Sequence, residues 1–355
     1  MTTIRQISIA PDDTAVTADI EAATALRNAV YSIPSGTNEE DTTPAAFLQE
    51  FTGTTQLHRL WLCELGGRPV GIARMHAPLE EGATSSYAEI LVLPEFESKG
   101  IGTLALRVIE DEARSLGRLT LIGEAEHLPD PALPRLSPPT GFGTIPEDHI
   151  ARFLAGRGWS FEQVERKSTF DLTADLSPVR EHQARAAAAA EGYEVLAWDD
   201  ATPAEYLEPM ARLYERMSTD IPTAALELVP EKWTADRVIQ RDERRAASGD
   251  HTQITVARHI ASGELVAFNV LAREMSDPAS TTFQGDTLVH GEHRGHRLGM
   301  LVKTAGILRW REQNPESTRI LTWNAEENRP MLSINEELGF VPAGYIGAWQ
   351  KRLTP

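Results

Sequence analysis

The chain repeats itself at a spacing of 197 residues, and that repeat constrains most of what it can fold into. Glu89 through Gly102 (EILVLPEFESKGIG) lies over Asp286 through Gly299 (DTLVHGEHRGHRLG). In both copies an acidic residue opens a short apolar strand, a turn follows, and a glycine starts a helix. Gly66 through Ala73 (GGRPVGIA) falls likewise near Ser262 through Asn269 (SGELVAFN), at a spacing of 196. Duplication at about half of 355 residues points to two similar domains, since solenoids repeat every ~20–50 residues.

Periodicity places the same kinds of element in each half. The first unit begins with a helix over Ile20–Val30, where Ala22, Leu26, Ala29 and Val30 share a face. Strands Arg59–Leu65 and Val70–His76 flank the Gly66-Gly67 hairpin, and strand Glu89–Leu93 leads into the glycine turn. Helix Thr103–Leu116 stops at Gly117, strand Leu119–Gly123 follows, and the prolines of Pro129–Pro146 impose a loop. Helix Asp148–Ala155 and strand Phe161–Leu172 close the unit. Ser177 as cap, Pro178 in the first turn, five alanines and Gly192 then predict a linker helix.

The second unit repeats the order: helices Pro203–Met217 and Ala235–Ala247, a hairpin over Thr252–Ala272, and strand Thr282–Val289. After the turn come helix Met300–Glu312, strand Arg319–Asn324, helix Arg329–Leu338 and a strand near Tyr345–Arg352. The expected class is α/β (α+β), with two tandem domains, each a mixed twisted sheet flanked by helices. Their bounds are 1–176 and 193–355, joined by the helix over 177–192.

Bulk properties exclude several functions. Thirty-four Lys and Arg against 52 Asp and Glu give a net charge of −18, which repels nucleic acid and anionic membranes and attracts a cationic amine. No apolar run approaches the ~18 residues of a membrane span, and the N-terminus shows no secretory pattern. A single cysteine, Cys63, cannot form an internal disulfide and fits a cytoplasmic location. Set in a strand, it reads as a small buried residue. Monomer and homodimer both remain open.

The turns carry the chemistry. A helix N-terminus presents unpaired N–H groups, and glycine lets a large anion approach them. Gly100 and Gly102, and Gly295 and Gly299, therefore suggest phosphate or pyrophosphate sites. Gly100 through Ala105 also approximates a dinucleotide G-x-G-x-x-A fingerprint, but there the glycines should follow the strand directly, and Pro94 through Lys99 intervene.

Strand, Pro94, five residues, Gly100-Ile101-Gly102 and an amphipathic helix together resemble the acyl-CoA loop of the GNAT superfamily of N-acetyltransferases. Asn328 through Phe340 resembles that family's later N-x-x-A-x-x-x-Y-x-x-x-G-F helix. The resemblance spans nearly the whole chain as two tandem copies. It implies acetyl-CoA as cosubstrate, no metal, and direct attack of a small-molecule primary amine on the thioester in a ternary complex. An acyl-CoA-binding module without catalysis is the alternative.

Cofactor contacts implied in the first unit are Ile90, Leu91, Val92, Gly100, Ile101, Gly102 and Thr103. In the second they are Thr287, Leu288, Val289, Arg294, Gly295, His296, Arg297, Leu298, Gly299 and Met300, with Asn324 and Asn328 reaching the pantetheine arm. Arg294, His296 and Arg297 surround the second turn with cationic donors, whereas the first has Glu97 at the family's arginine position, so the second is expected to hold CoA better. The resemblance makes Glu89 and Asp286 the candidate bases, direct or through water. The family's tyrosine falls at Leu154 and Asn335, which leaves Tyr345 or water to protonate the leaving thiolate.

Overall fold

The computed structural model describes residues 1–53, 56–275 and 281–354. The first half runs β1 (Thr2–Ile7), α1 (Ala18–Ser35), α2 (Pro44–Gln49), β2 (Gln56–Leu65), β3 (Arg68–Pro78) and β4 (Ser85–Val92). It continues with α3 (Ile101–Ser115), β5 (Thr120–His127), a minimal hairpin of β6 (Arg135–Leu136) and β7 (Ile145–Pro146), α4 (His149–Ala155) and β8 (Ser160–Asp171). The second half comprises α5 (Ser177–Ala189), β9 (Tyr193–Asp199), α6 (Leu207–Asp220), α7 (Ala235–Ala247), β10 (Asp250–His259) and β11 (Leu265–Glu274). It ends with β12 (Thr281–Val289), α8 (Leu298–Gln313), β13 (Arg319–Ala325), α9 (Arg329–Leu338) and β14 (Val341–Arg352).

The strands of the two halves merge into one twelve-stranded mixed sheet, ordered β1-β2-β3-β4-β5-β14-β8-β13-β12-β11-β10-β9. The closing strands have changed places. β8, from the first half, lies between β13 and β14 of the second, while β14 lies between β5 and β8 of the first. Every ladder neighbour of these two strands thus comes from the opposite half. The halves are expected to carry separate sheets; pairing of the exchanged strands joins them.

Local chemistry accounts for the elements. Gly66 and Gly67 sit at φ +62° and +80°, the left-handed angles that a two-residue hairpin turn requires. On α3, Ile101, Ala105, Leu106, Ile109 and Ala113 form the buried stripe, packed with Trp61, Val70, Leu121 and Trp349. Full burial of one such isoleucine contributes roughly 1.5–3 kcal/mol. The α5 cap differs from expectation: Asp175, not Ser177, closes the helix start, accepting from the Ser177 N–H at 3.0 Å and its hydroxyl at 2.8 Å. Val179 and Ala186 bury α5 in the same core as Leu301 and Trp310, so this segment is a packed element, not a free tether.

Candidate functional site

Both turns are built as the repeat suggests. β4 leads through one 3₁₀ turn, Pro94–Phe96, to Gly100 at φ +82°, which starts α3. β12 leads through Gly291–His293 to Arg297 at φ +55°, which starts α8. Arg297 therefore adopts the left-handed conformation of its glycine counterpart, at an energetic cost that Gly100 avoids. Neither helix has a side-chain N-cap, so first-turn N–H groups remain available to an anion.

The surroundings of the turns differ. Glu97, the carboxylate facing the first anion position in sequence, is drawn aside by His149 at 3.0 Å. At the second, Arg294 is exposed, with Asp220 no nearer than 3.5 Å, Arg297 pairs with Glu337 at 3.1 Å, and His296 packs on Tyr193. Leu288, Leu298 and Met300 are buried, so a cofactor there would meet their backbone and not their side chains. Thr287 accepts from Asn269 at 2.9 Å and Thr103 from Arg157 at 2.5 Å.

Each half also contains a fork. β4 and β5 pair in parallel only over Ser85–Tyr87 and Thr120–Ile122, then part; β12 and β13 pair only over Thr281–Phe283 and Arg319–Leu321. Parted parallel strands leave backbone groups free to bond an extended amide-bearing chain. In the second fork the floor is bridged: Gln284 donates to the Thr322 hydroxyl at 3.1 Å, and Asn335 donates to the Asn324 amide oxygen at 2.7 Å. Lys303 of α8, fully buried, donates in turn to Asn335. Burial with no carboxylate beside it pushes the Lys303 ammonium down to about 7. Asn328 caps α9, accepting from the Met331 N–H at 3.4 Å. A bulge sets Gly285 and Asp286 opposite Val270, which turns the Asp286 segment out of register.

A cavity of about 660 Å³ lies between the halves, with the first fork in its wall through Ala88, Gly123 and Glu124. Gly123 has to be small, because an added Cβ would stand 3.0 Å from the Ala88 carbonyl oxygen. Glu89 and Asp286, the two acids that open the repeated motif, both line this cavity. Each is held by an arginine: Glu89 by Arg74 at 2.5 Å, with the Tyr31 hydroxyl at 2.7 Å, and Asp286 by Arg241 at 2.9 Å. Tyr345 lies on β14 opposite His127, outside the lining residues, as does the loop over 129–146.

Sequence reasoning missed Glu124, Lys303 and the cationic wall. Arg237, Arg241, Arg244 and Arg245 of α7 all face the cavity; their i, i+4, i+7, i+8 spacing marks one helical face and was readable. Glu124 is open to the cavity yet ringed by protein, and that enclosure, with Glu89 nearby, holds its carboxyl above the usual range. Burial raises the Cys63 thiol to about 12, in keeping with a packing role. Among the described residues no group of three or more His, Cys, Asp or Glu could hold a metal ion, and no helix is long and apolar enough to cross a membrane.

Residues 24–132 match the family model described as acetyltransferase (GNAT) family. No curated protein matches the chain. Among solved structures, the chain is similar to a tandem GNAT protein from the clavulanic acid biosynthesis pathway, at 25% identity and TM-score 0.74, covering 100% of this chain and 99% of that one. It also shares its fold with a GCN5-related N-acetyltransferase from Sphaerobacter thermophilus, at 15% identity and TM-score 0.60, covering 100% and 96%.

Proposed function

From the premise that this chain carries a GNAT acetyltransferase domain within a tandem GNAT fold, we propose that it transfers acetyl from acetyl-CoA to a primary amine of a small molecule. The observation that carries this reading is convergence. Two acids 197 residues apart, each inside a strand that feeds a glycine-bearing turn at a helix start, face one cavity, and a strand fork opens into its wall. The diphosphate of the cofactor would rest on the α3 N-terminus at Gly100, Ile101, Gly102 and Thr103, and the pantetheine amides beside Ile90, Leu91 and Val92 at the fork. The acyl carbon would then meet an amine in the cavity, held close and oriented as direct attack requires.

Sequence alone favours the second turn, with Arg294, Gly295, His296, Arg297 and Gly299. Its fork is bridged by Gln284 and Thr322, and only Asp286 of its strands reaches the cavity; these observations support assigning the productive role to the first turn. We assign the second turn a CoA molecule that is bound without being turned over. Glu89 and Asp286 accept the ammonium proton through water, and water protonates the departing thiolate.

The rival reading is an acyl-CoA-binding module without turnover, favoured by the guanidinium partners of both acids and by Leu154 and Asn335 at the tyrosine position. Thiol release from acetyl-CoA, followed across a panel of primary amines, decides between them. Release above the no-amine rate supports transfer; tight CoA binding with no release for any amine supports the rival.

A further inference from the structure

Five acids and five arginines line the cavity, but not all of them pair, and the unpaired groups describe a ligand. Glu50 and Glu89 share Arg74, at 2.6 and 2.5 Å. Asp286 takes Arg241 at 2.9 Å, and Arg237 is held by Glu80 at 2.7 Å and Glu231 at 3.3 Å. Three lining residues are left over: Glu124 on β5 and the guanidinium pair Arg244 and Arg245 on α7. Among the described residues none of the three forms an ion pair or a side-chain hydrogen bond, and Nη1 of Arg245 is a buried donor with no acceptor.

An enclosed guanidinium with no acceptor in reach is unfavourable, and proteins ordinarily pair it; Asp242, Asp250 and Asp286 offset this for Arg245 only through space. Enclosure and the neighbouring Arg241 weaken the hold of Arg245 on its proton, bringing it down to about 10, and they shift Arg244 in the same direction. Its planar fork of donors suits a carboxylate or phosphate. The unmatched carboxyl, meanwhile, stands at the first fork, where an attacking amine has to arrive.

We propose that the cavity takes a zwitterionic acceptor, a primary amine that also bears a carboxylate or phosphate, with its amine at Glu124 and its oxyanion at Arg244 and Arg245. The assignment deepens the transfer reading given above and rests on it for the reaction, although not for binding. It also fits a chain of net charge −18 whose α7 wall keeps two unpaired guanidinium groups: the surface attracts amines, and the α7 wall selects those carrying an acid group.

Two matched pairs test it. Ornithine with putrescine probes the carboxylate, and glucosamine 6-phosphate with glucosamine probes the phosphate. The acid member of at least one pair is expected to show kcat/KM at least tenfold above its partner. In an Arg244→Gln/Arg245→Gln double variant that preference should fall severalfold, and calorimetric binding of the N-acetylated acid should be lost. Because neither arginine forms an ion pair or a side-chain hydrogen bond, and nearby carboxylates act on them only through space (Glu231 on Arg244; Asp242, Asp250 and Asp286 on Arg245), the double variant should stay folded and melt close to the parent. Equal use of both members in both pairs, or a preference untouched by the double variant, overturns the proposal. Acid binding that depends on the two arginines without turnover of any amine upholds the zwitterion site and overturns the transfer reading; turnover of the amines that lack an acid group, without gain from adding one, does the reverse.

Discussion

Arg241 meets the Asp286 carboxylate at 2.9 Å while its guanidinium lies over the Tyr214 ring, 4.2 Å from the centroid. The pair joins a helix to the bulged strand and places a motif acid on the cavity wall. Asp286→Asn removes the counter-charge and strands an enclosed cation, so stability is expected to fall by about 1–3 kcal/mol. The acetylation rate should fall most at low pH, where the amine is mostly protonated. Urea unfolding reads the first effect. An unchanged pH profile would remove Asp286 from proton transfer.

The two turns can be separated by substitution. Gly299→Glu is a poor probe, because a Cβ there would stand 3.0 Å from Ile334. Arg294 is 59% exposed on its side chain and loosely paired, so Arg294→Glu should leave the fold intact. Calorimetry is expected to show one CoA site lost, weakened tenfold or more, with turnover retained.

At the first turn, Gly100 has open space around it and φ +82°. Gly100→Asp puts a carboxylate where the diphosphate would lie, in a residue type that tolerates left-handed angles. Turnover should vanish while CoA still binds at the second turn. Loss of activity in Arg294→Glu, with activity preserved in Gly100→Asp, would return the productive site to the second half.

Lys303 predicts a pH dependence of stability. Folded, it gives up its proton near pH 7; unfolded, near 10.5. The unfolded chain binds more protons across that window, so this group's contribution to stability rises with pH from about 7 to 10.5 and is least favourable below it. Lys303→Met should stabilise the protein at pH 6 by on the order of 1–3 kcal/mol, partly offset by the unsatisfied Asn335 oxygen. The gain should shrink by pH 10. Chemical denaturation at both pH values checks the sign.

The strand exchange predicts that the halves fail alone. A fragment over 1–176 leaves β8 without either of its ladder partners and β5 without β14. Such edges aggregate. Expressed separately, the fragments over 1–176 and 177–355 should be insoluble or show little fixed structure by circular dichroism; expressed together, they should form a soluble complex. A monomeric, fully folded fragment over 1–176 would contradict the exchange.

Features set by nearby residues were legible in the sequence, and features set by distant ones were not. The repeat located both turns, and the left-handed angle at Arg297 followed from its alignment with Gly100. α7 and α9 could be bounded from periodicity and end signals because caps act over a few residues. α2, six residues long, and the edge strand β9 carry too little pattern to declare themselves. The exchange was hidden because β8 and β14 present the same kind of sequence whichever half they join. Glu124 was missed because its strand was read as ending one residue earlier, and Lys303 because a lysine inside a helix reads as solvated until the tertiary packing is known.

Near the middle of the sheet, β8 and β14 run side by side and antiparallel, each completing the other's half. A single such unit, in this arrangement, would need the closing strand of a second one to complete its sheet. With both units in one chain, that exchange is intramolecular and independent of protein concentration. Within one chain the two turns also need not match: Arg294 and Arg297 stand at one, Glu97 and Gly100 at the other.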